Sequence, residues 1–201
     1  MTPQIPLLTT ILSTLLLSLS LSLPTLAHTT PSPLTPRCTN ALRNPGFETS
    51  QISPWLDMVS GSWSKRSIST SPNPYPAHSG SKFYYAHSNA THMTSTLTLA
   101  QSYFELRTGD RVRCGAWVRG QRPTGTTRVQ VWLDAAACGG EVLLTAATNG
   151  NAWMWVGGQA VVRDVMGGVG HSVAVTLQGE GVRASEGWSV AVDDVSVGVG
   201  C

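Results

Sequence analysis

Charge is scarce in this chain: only 12% of its 201 residues are Asp, Glu, Lys or Arg, and the formal net charge is +2. So small a balance gives no argument for nucleic acid or an anionic membrane as a partner. The surface must then be built from Ser, Thr, Asn, Gln and Gly, which suits an extracellular protein with neutral polar partners. Beyond the first 26 residues, no apolar run approaches the roughly 18 residues that a membrane span needs. Helical periodicity is missing too, since no window repeats its apolar residues at a period near 3.6. The cysteines form no C-x-x-C pair, which argues against zinc and against thioredoxin-like redox chemistry. No G-x-S-x-G elbow occurs.

What is present begins with an uncharged leader, Met1 to Leu26, whose apolar core "LLTTILSTLLLSLSLSL" ends at Pro24. "TLA" at 25–27 offers small residues for cleavage, so residues 1–27 read as a secretory signal peptide and the protein as secreted. No stop-transfer charge cluster follows, so no membrane association is expected after cleavage. Residues 28–37, "HTTPSPLTPR", form a Pro/Thr/Ser-rich linker. The folded domain is expected over 38–201, a length that can bury one core.

Four cysteines behind a signal peptide, Cys38, Cys114, Cys138 and Cys201, read as two disulfides. Three pairings are possible. The preferred one joins Cys38 to Cys201 across the chain ends and Cys114 to Cys138 between neighbouring strands across a short loop.

Period two dominates beyond Cys38. "RVRCGAWVRG" puts Val112, Cys114, Ala116 and Val118 on one face, with Arg111, Arg113, Trp117 and Arg119 on the other. "RVQVWLD" does the same with Val129, Val131 and Leu133 against Arg128, Gln130, Trp132 and Asp134. "HSVAVTLQG" and "WSVAVDDVSVGV" supply two more β runs. Further strands are expected near 62–68, 81–86, 94–99 and 153–162, separated by turns such as "RTGD", "RPTG" and "TNGN". About eight short strands on one core imply an all-β sandwich or barrel. The stretch "AAACGGEVLLTAATNGN" carries no assignable pattern.

Five motifs then fall into order: "NPGFE" at 44–48 with "SPW" at 53–55, "AHSGS" at 77–81, "LTLAQ" at 97–101, "TGDRVRCGAWV" at 108–118 and "VDDVSV" at 192–197. The set resembles the carbohydrate-binding modules of families four, nine and twenty-two, and especially small secreted fungal proteins built on that domain. The resemblance spans 38–201. It implies a galactose-binding-like jelly roll of two antiparallel sheets. It also implies a structural calcium ion held by the carbonyl of Gly46, the carboxylate of Glu48, a carbonyl in the 79–82 segment such as that of Lys82, and the carboxylate of Asp193, with Asp194 as the alternative ligand. Calcium takes about six to eight hard oxygens, which carbonyls and carboxylates supply. Without an ion, Glu48 and Asp193 would serve as hydrogen-bond acceptors for nearby amides. The related modules are usually non-catalytic and joined to an enzyme, whereas here one domain is expected to take up the chain. No catalytic pair of carboxylates stands out, so the protein reads as a non-enzyme.

Seven tryptophans against three phenylalanines suggest a sugar-stacking surface. Trp117 and Trp132 lie opposite the aliphatic faces of their strands, with Arg113 and Gln130 nearby on the same faces. If these strands adjoin, the four make one surface, which Tyr85 and Gln178 would extend. Packing on the sheet is the competing role for Trp117. Trp153 and Trp155 share a face, with core packing or an edge cover preferred. Trp63 and Trp188 are expected half-buried at loop ends, and Trp55, after Pro54, as a buried plug. Asn89-Ala90-Thr91 is an N-glycosylation sequon. The functional expectation is recognition of a neutral polysaccharide, such as glucan or xylan. The alternative is a secreted structural or host-interaction protein on the same fold that binds no sugar.

Overall fold

Alternation of aliphatic and polar residues produces two six-stranded sheets that enclose one core. The computed structural model describes residues 39–89, 94–121, 125–145, 152–165, 168–180 and 187–199. The expected signal peptide and linker, Cys38 and Cys201 with their pairing, and Ala90 and Thr91 of the sequon lie outside them. The elements are β1 (Thr39–Asn40), β2 (Leu56–Ser60), β3 (Trp63–Thr70), β4 (Lys82–Ser88), β5 (Ser95–Phe104), β6 (Arg111–Gln121), β7 (Thr126–Leu133), β8 (Ala136–Ala137), β9 (Val142–Thr145), β10 (Met154–Val161), β11 (His171–Glu180) and β12 (Trp188–Val199).

The first sheet runs β10-β6-β12-β4-β3, with β1 on β12; the second runs β2-β5-β11-β7-β8, with β9 on β7. Every registered pair is antiparallel. This is the two-sheet antiparallel sandwich that the alternation and the resemblance lead one to expect. Between the sheets lie Val112, Cys114, Ala116 and Val118 of β6, Val129, Val131 and Leu133 of β7, and Val173, Val175 and Leu177 of β11, all at most 2% exposed.

Three details differ from the sequence reading. The Cys114–Cys138 bridge exists, with Cα atoms 5.9 Å apart. Yet β6 belongs to the first sheet, and Cys138 follows β8 of the second. The disulfide therefore ties sheet to sheet rather than strand to neighbouring strand. The described part of the unassigned stretch around Cys138 supplies β8 and β9, which both pair with β7. Trp188 is buried at 3% exposure rather than half-buried, because its ring meets Trp63 at 5.1 Å and its indole N–H donates to Ser95 Oγ.

The "LRNPGFETSQISPW" segment is scaffold, as expected for Trp55. Its ring is 2% exposed and packs on Phe47 at 5.7 Å, and its Nε1 donates to the Asn44 carbonyl at 3.0 Å. Burying an indole while satisfying its one donor is a stable way to pin a loop lacking sheet hydrogen bonds.

Candidate functional site

The six residues expected to form one surface divide three and three. Arg113, Trp117 and Tyr85 stand on β6 and β4 of the first sheet, whereas Gln130, Trp132 and Gln178 stand on β7 and β11 of the second. Each group points away from the core, so the two lie on opposite outer faces of the sandwich. The premise that the strands of Trp117 and Trp132 adjoin does not hold. Period two gives the face of a strand but not its neighbour.

On the first sheet, the part of the outer face around Trp117 is already covered. The 71–81 loop folds over it and places His78 on Trp117, ring centroids 3.9 Å apart and 16° from parallel. Tyr75 of the same loop packs on Phe83 and Tyr85, each at 6.0 Å. The Arg119 guanidinium caps Tyr75 at 4.1 Å, and burial lowers its pKa. Trp153 Nε1 donates to the Pro76 carbonyl at 3.0 Å. Trp155 contacts Trp117 at 6.0 Å, and the Arg113 guanidinium stands 4.8 Å from the Trp155 ring centre. A sugar ring approaching Trp117 would find His78 in the stacking position.

The same loop is anchored by the carboxylates expected to hold calcium. Glu48 Oε1 accepts from the amides of Ser81 and Lys82, both at 2.8 Å, and Oε2 accepts from Ser81 Oγ at 3.0 Å. Burial pushes Glu48 upward, but the Lys82 and Ser81 amides outweigh it and hold the group below the usual carboxylate range. Lys82 meets Glu48 with its donors, since its Nζ also bonds the Glu48 carbonyl at 3.1 Å. Asp193 is fully buried; its Oδ2 accepts from the His78 amide at 2.9 Å and the Ser79 amide at 3.3 Å. Burial, with the Asp194 carboxylate beside it, pushes Asp193 up to about 7. Asp194 is half-buried at a break in the β12–β6 register; its Oδ1 accepts from Ser79 Oγ and its Oδ2 lies 2.6 Å from His78 Nδ1. Gly46 closes the corner, where a Cβ would come within 3.1 Å of Asp194 Oδ1 and 3.4 Å of Asp193 Oδ1.

This donor set is all oxygen and includes a buried carboxylate, which fits a hard cation. Among the described residues, no three His, Cys, Asp or Glu side chains are grouped as a metal site. An ion here would therefore rest on Glu48 and Asp193 and be completed by backbone carbonyls. All six carboxylate oxygens of Glu48, Asp193 and Asp194 also meet a protein donor, so the corner already acts as a hydrogen-bonded clasp.

The outer face of the second sheet differs. Its register aligns three rows across the strands: Leu56, Ala100, Ala174, Trp132 and Ala137; Met58, Thr98, Thr176 and Gln130; and Ser60, Thr96, Gln178, Arg128 and Leu143. Rows lie about 7 Å apart along the strands, and neighbours within a row about 5 Å apart. Trp132 alone among the seven tryptophans makes no ring contact with a described residue. The side chains of Thr96, Thr98, Thr176 and Gln178 are part-exposed and make no hydrogen bond to a described residue. Gln130 Nε2 donates to the Val131 and Gly139 carbonyls, which fixes the amide, and its Oε1 has no partner among the described residues. Arg128 is held by Glu141 at 2.7 Å. Leu56 and Met58 form the apolar margin, at 64% and 52% exposure.

Sequence reasoning missed the threonines of β5 and β11, because a lone Thr on a strand is unremarkable until register sets it beside others. The cue available was alternation in "STLTLAQS", which puts Thr96 and Thr98 opposite Leu97 and Leu99.

No protein-family model and no curated protein sequence matches the chain. Solved structures do. A carbohydrate-binding module from the β-sandwich superfamily, studied for promiscuous specificity, matches over 79% of this chain and 62% of its own, with TM-score 0.50 and 10% identity. The apo form of a cyclase from Fischerella sp. matches over 80% and 95%, with TM-score 0.51 and 12% identity. TmCBM61, solved with β-1,4-galactotriose, matches over 79% and 97%, with TM-score 0.47 and 24% identity. At such identities the likeness is one of fold: the chain shares its two-sheet sandwich with a carbohydrate-binding module and with a cyclase.

Proposed function

We propose that this is a secreted, non-catalytic carbohydrate-binding protein that takes a neutral polysaccharide on the outer face of the β5-β11-β7 strands. One observation carries the reading. Trp132, which has no ring partner among the described residues, stands beside Thr96, Thr98, Thr176 and Gln178, whose side chains make no hydrogen bond to a described residue. A flat aromatic receives the C–H face of a pyranose, and adaptable hydroxyls and amides bond its rim. The contacts proposed are Trp132, Gln130 and Gln178, joined by Thr96, Thr98 and Thr176. Trp117, Arg113 and Tyr85 are assigned to holding the 71–81 loop. Likeness to a carbohydrate-binding module agrees with this reading at the level of fold, which by itself does not determine function.

In this reading calcium, when bound, is structural: Glu48 and Asp193 with the carbonyls of Gly46 and Lys82 would hold it and fasten the loop to β12. Asn89 is proposed as a glycosylation site; it is exposed, and its Oδ1 accepts from Ser62 Oγ at 2.7 Å.

Affinity electrophoresis through gels containing glucan, xylan or mannan tests the reading. Retardation in one gel, abolished by Trp132→Ala and kept by Trp117→Ala, supports it. Equal mobility in every gel favours the interaction-protein alternative, for which the exposed Leu56, Met58 and Val59 of edge strand β2 speak.

A further inference from the structure

Away from that face, a crevice of about 390 Å³ opens where the end of β10 in one sheet meets the β7–β8 turn of the other. Its apolar lining is Leu133, Ala136, Val161 and Val165, and its polar lining is Asp134, Arg163 and Asp164. Both walls are fixed by hydrogen bonds. Asp134 Oδ1 accepts from the Ser172 amide at 2.9 Å, its Oδ2 lies 3.0 Å from His171 Nδ1, and its own amide donates to the Ser172 carbonyl at 2.8 Å. Opposite, Val162 exchanges backbone bonds with Gly109 and Asp110, both at 2.9 Å, and Asp164 Oδ1 accepts from Thr108 Oγ1 at 2.6 Å. The backbone and the aspartates of such a wall do not have to reorganise when a ligand enters.

The unspent polar groups indicate what fits. Arg163 has no hydrogen-bond or ion-pair partner among the described residues, and Asp164 Oδ2 is likewise unpaired. The lining therefore includes a forked donor and a carboxylate acceptor together with aliphatic side chains. With Asp134 also present, the carboxylates outnumber the guanidinium, which disfavours an anion. A ligand carrying both donors and acceptors on a small, partly apolar ring satisfies all of them, and the volume lies at the lower end of small-molecule sites.

We propose that this crevice is a second site, which binds one neutral pyranose at the end of a glycan chain, while the Trp132 face takes the chain's interior. The proposal rests on the carbohydrate reading above. It assigns the two surfaces different parts of one ligand, so the protein would hold a chain at two points and gain by effective concentration whenever the chain spans both.

Two-dimensional amide NMR of the folded protein, titrated separately with glucose, xylose, mannose, galactose and glucuronate and then with the polysaccharide that binds best, is the test. The expected result is a saturable shift of the Ala135, Ala136 and Asp164 amides with one neutral monosaccharide. Arg163→Ala should weaken it about tenfold, the loss of a charged hydrogen bond, while Trp132→Ala leaves it unchanged. If the polysaccharide shifts Thr98 and Thr176 but no neutral monosaccharide shifts the crevice, the second site is wrong and the face stands. A crevice that answers only to glucuronate, or is indifferent to Arg163→Ala, also overturns the proposal. If no sugar shifts either region, the carbohydrate reading itself fails.

Discussion

His78 lies flat on Trp117, centroids 3.9 Å apart, and the same residue's backbone amide donates to the buried Asp193. One loop residue thus covers an aromatic platform with its ring and satisfies a buried carboxylate with its main chain. This double contact makes the Trp117 region of the first sheet part of the scaffold, which is why the proposed ligand surface lies on the second sheet. Breaking it should act on stability rather than on binding. His78→Ala is expected to lower the unfolding midpoint, since it bares Trp117 and removes the contact to Asp194, while the affinity for polysaccharide stays within twofold or so of wild type. Thermal unfolding and a binding isotherm on the same preparation check both halves.

The disulfide should matter more than an ordinary strand-to-strand bridge. Cys114 and Cys138 are 24 residues apart and fully buried. Replacing both with Ala removes a link between sheets, and the expected loss is about 2–5 kcal/mol. Urea unfolding measures it, and a loss below about 1 kcal/mol would show that core packing alone holds the sheets together.

Gly157 sits beside that bridge at φ +154°, and a Cβ there would overlap the Cys114 carbonyl oxygen. The obstacle is backbone, so no rotamer change relieves it. Gly157→Ala should destabilise by about 1–3 kcal/mol, comparable to overpacking a core. An unchanged unfolding midpoint would mean that β10 can shift off β6.

Calcium is tested by the same readout. If an ion binds the Glu48–Asp193 corner in the native state only, the midpoint rises with added calcium as mass action requires. Glu48→Gln with Asp193→Asn should abolish the rise. A midpoint equal in calcium and in chelator would show that the hydrogen-bonded clasp suffices.

Much of this was readable in the sequence, and the reasons the rest was not are physical. The inward faces of β6, β7 and β11 follow from alternation, and Trp55 from a proline-framed turn, because these are local properties. The order of strands is not local. Nothing between Val112 and Leu133 says that a chain leaving β6 crosses to the other sheet, so Trp117 and Trp132 looked like neighbours and are not. Asp193 was one of two candidates for the inward carboxylate, and the irregularity at Asp193–Ser196 decides it by turning Asp193 under the loop. β9 escaped notice because "EVLLT" has no alternation, being a short strand with one deeply buried residue, Leu144.

The central claim is that Trp132 of the second sheet, which has no ring partner among the described residues, and not Trp117 of the first, which stacks with His78, meets sugar. Intrinsic tryptophan fluorescence of wild type, Trp132→Ala and Trp117→Ala, titrated with soluble glucan, xylan and mannan, addresses it most directly. The account predicts a saturable change with one polysaccharide in wild type and in folded Trp117→Ala, and an affinity at least about tenfold weaker in Trp132→Ala, near 1.4 kcal/mol. A saturable change that survives intact in Trp132→Ala and disappears in Trp117→Ala would contradict it.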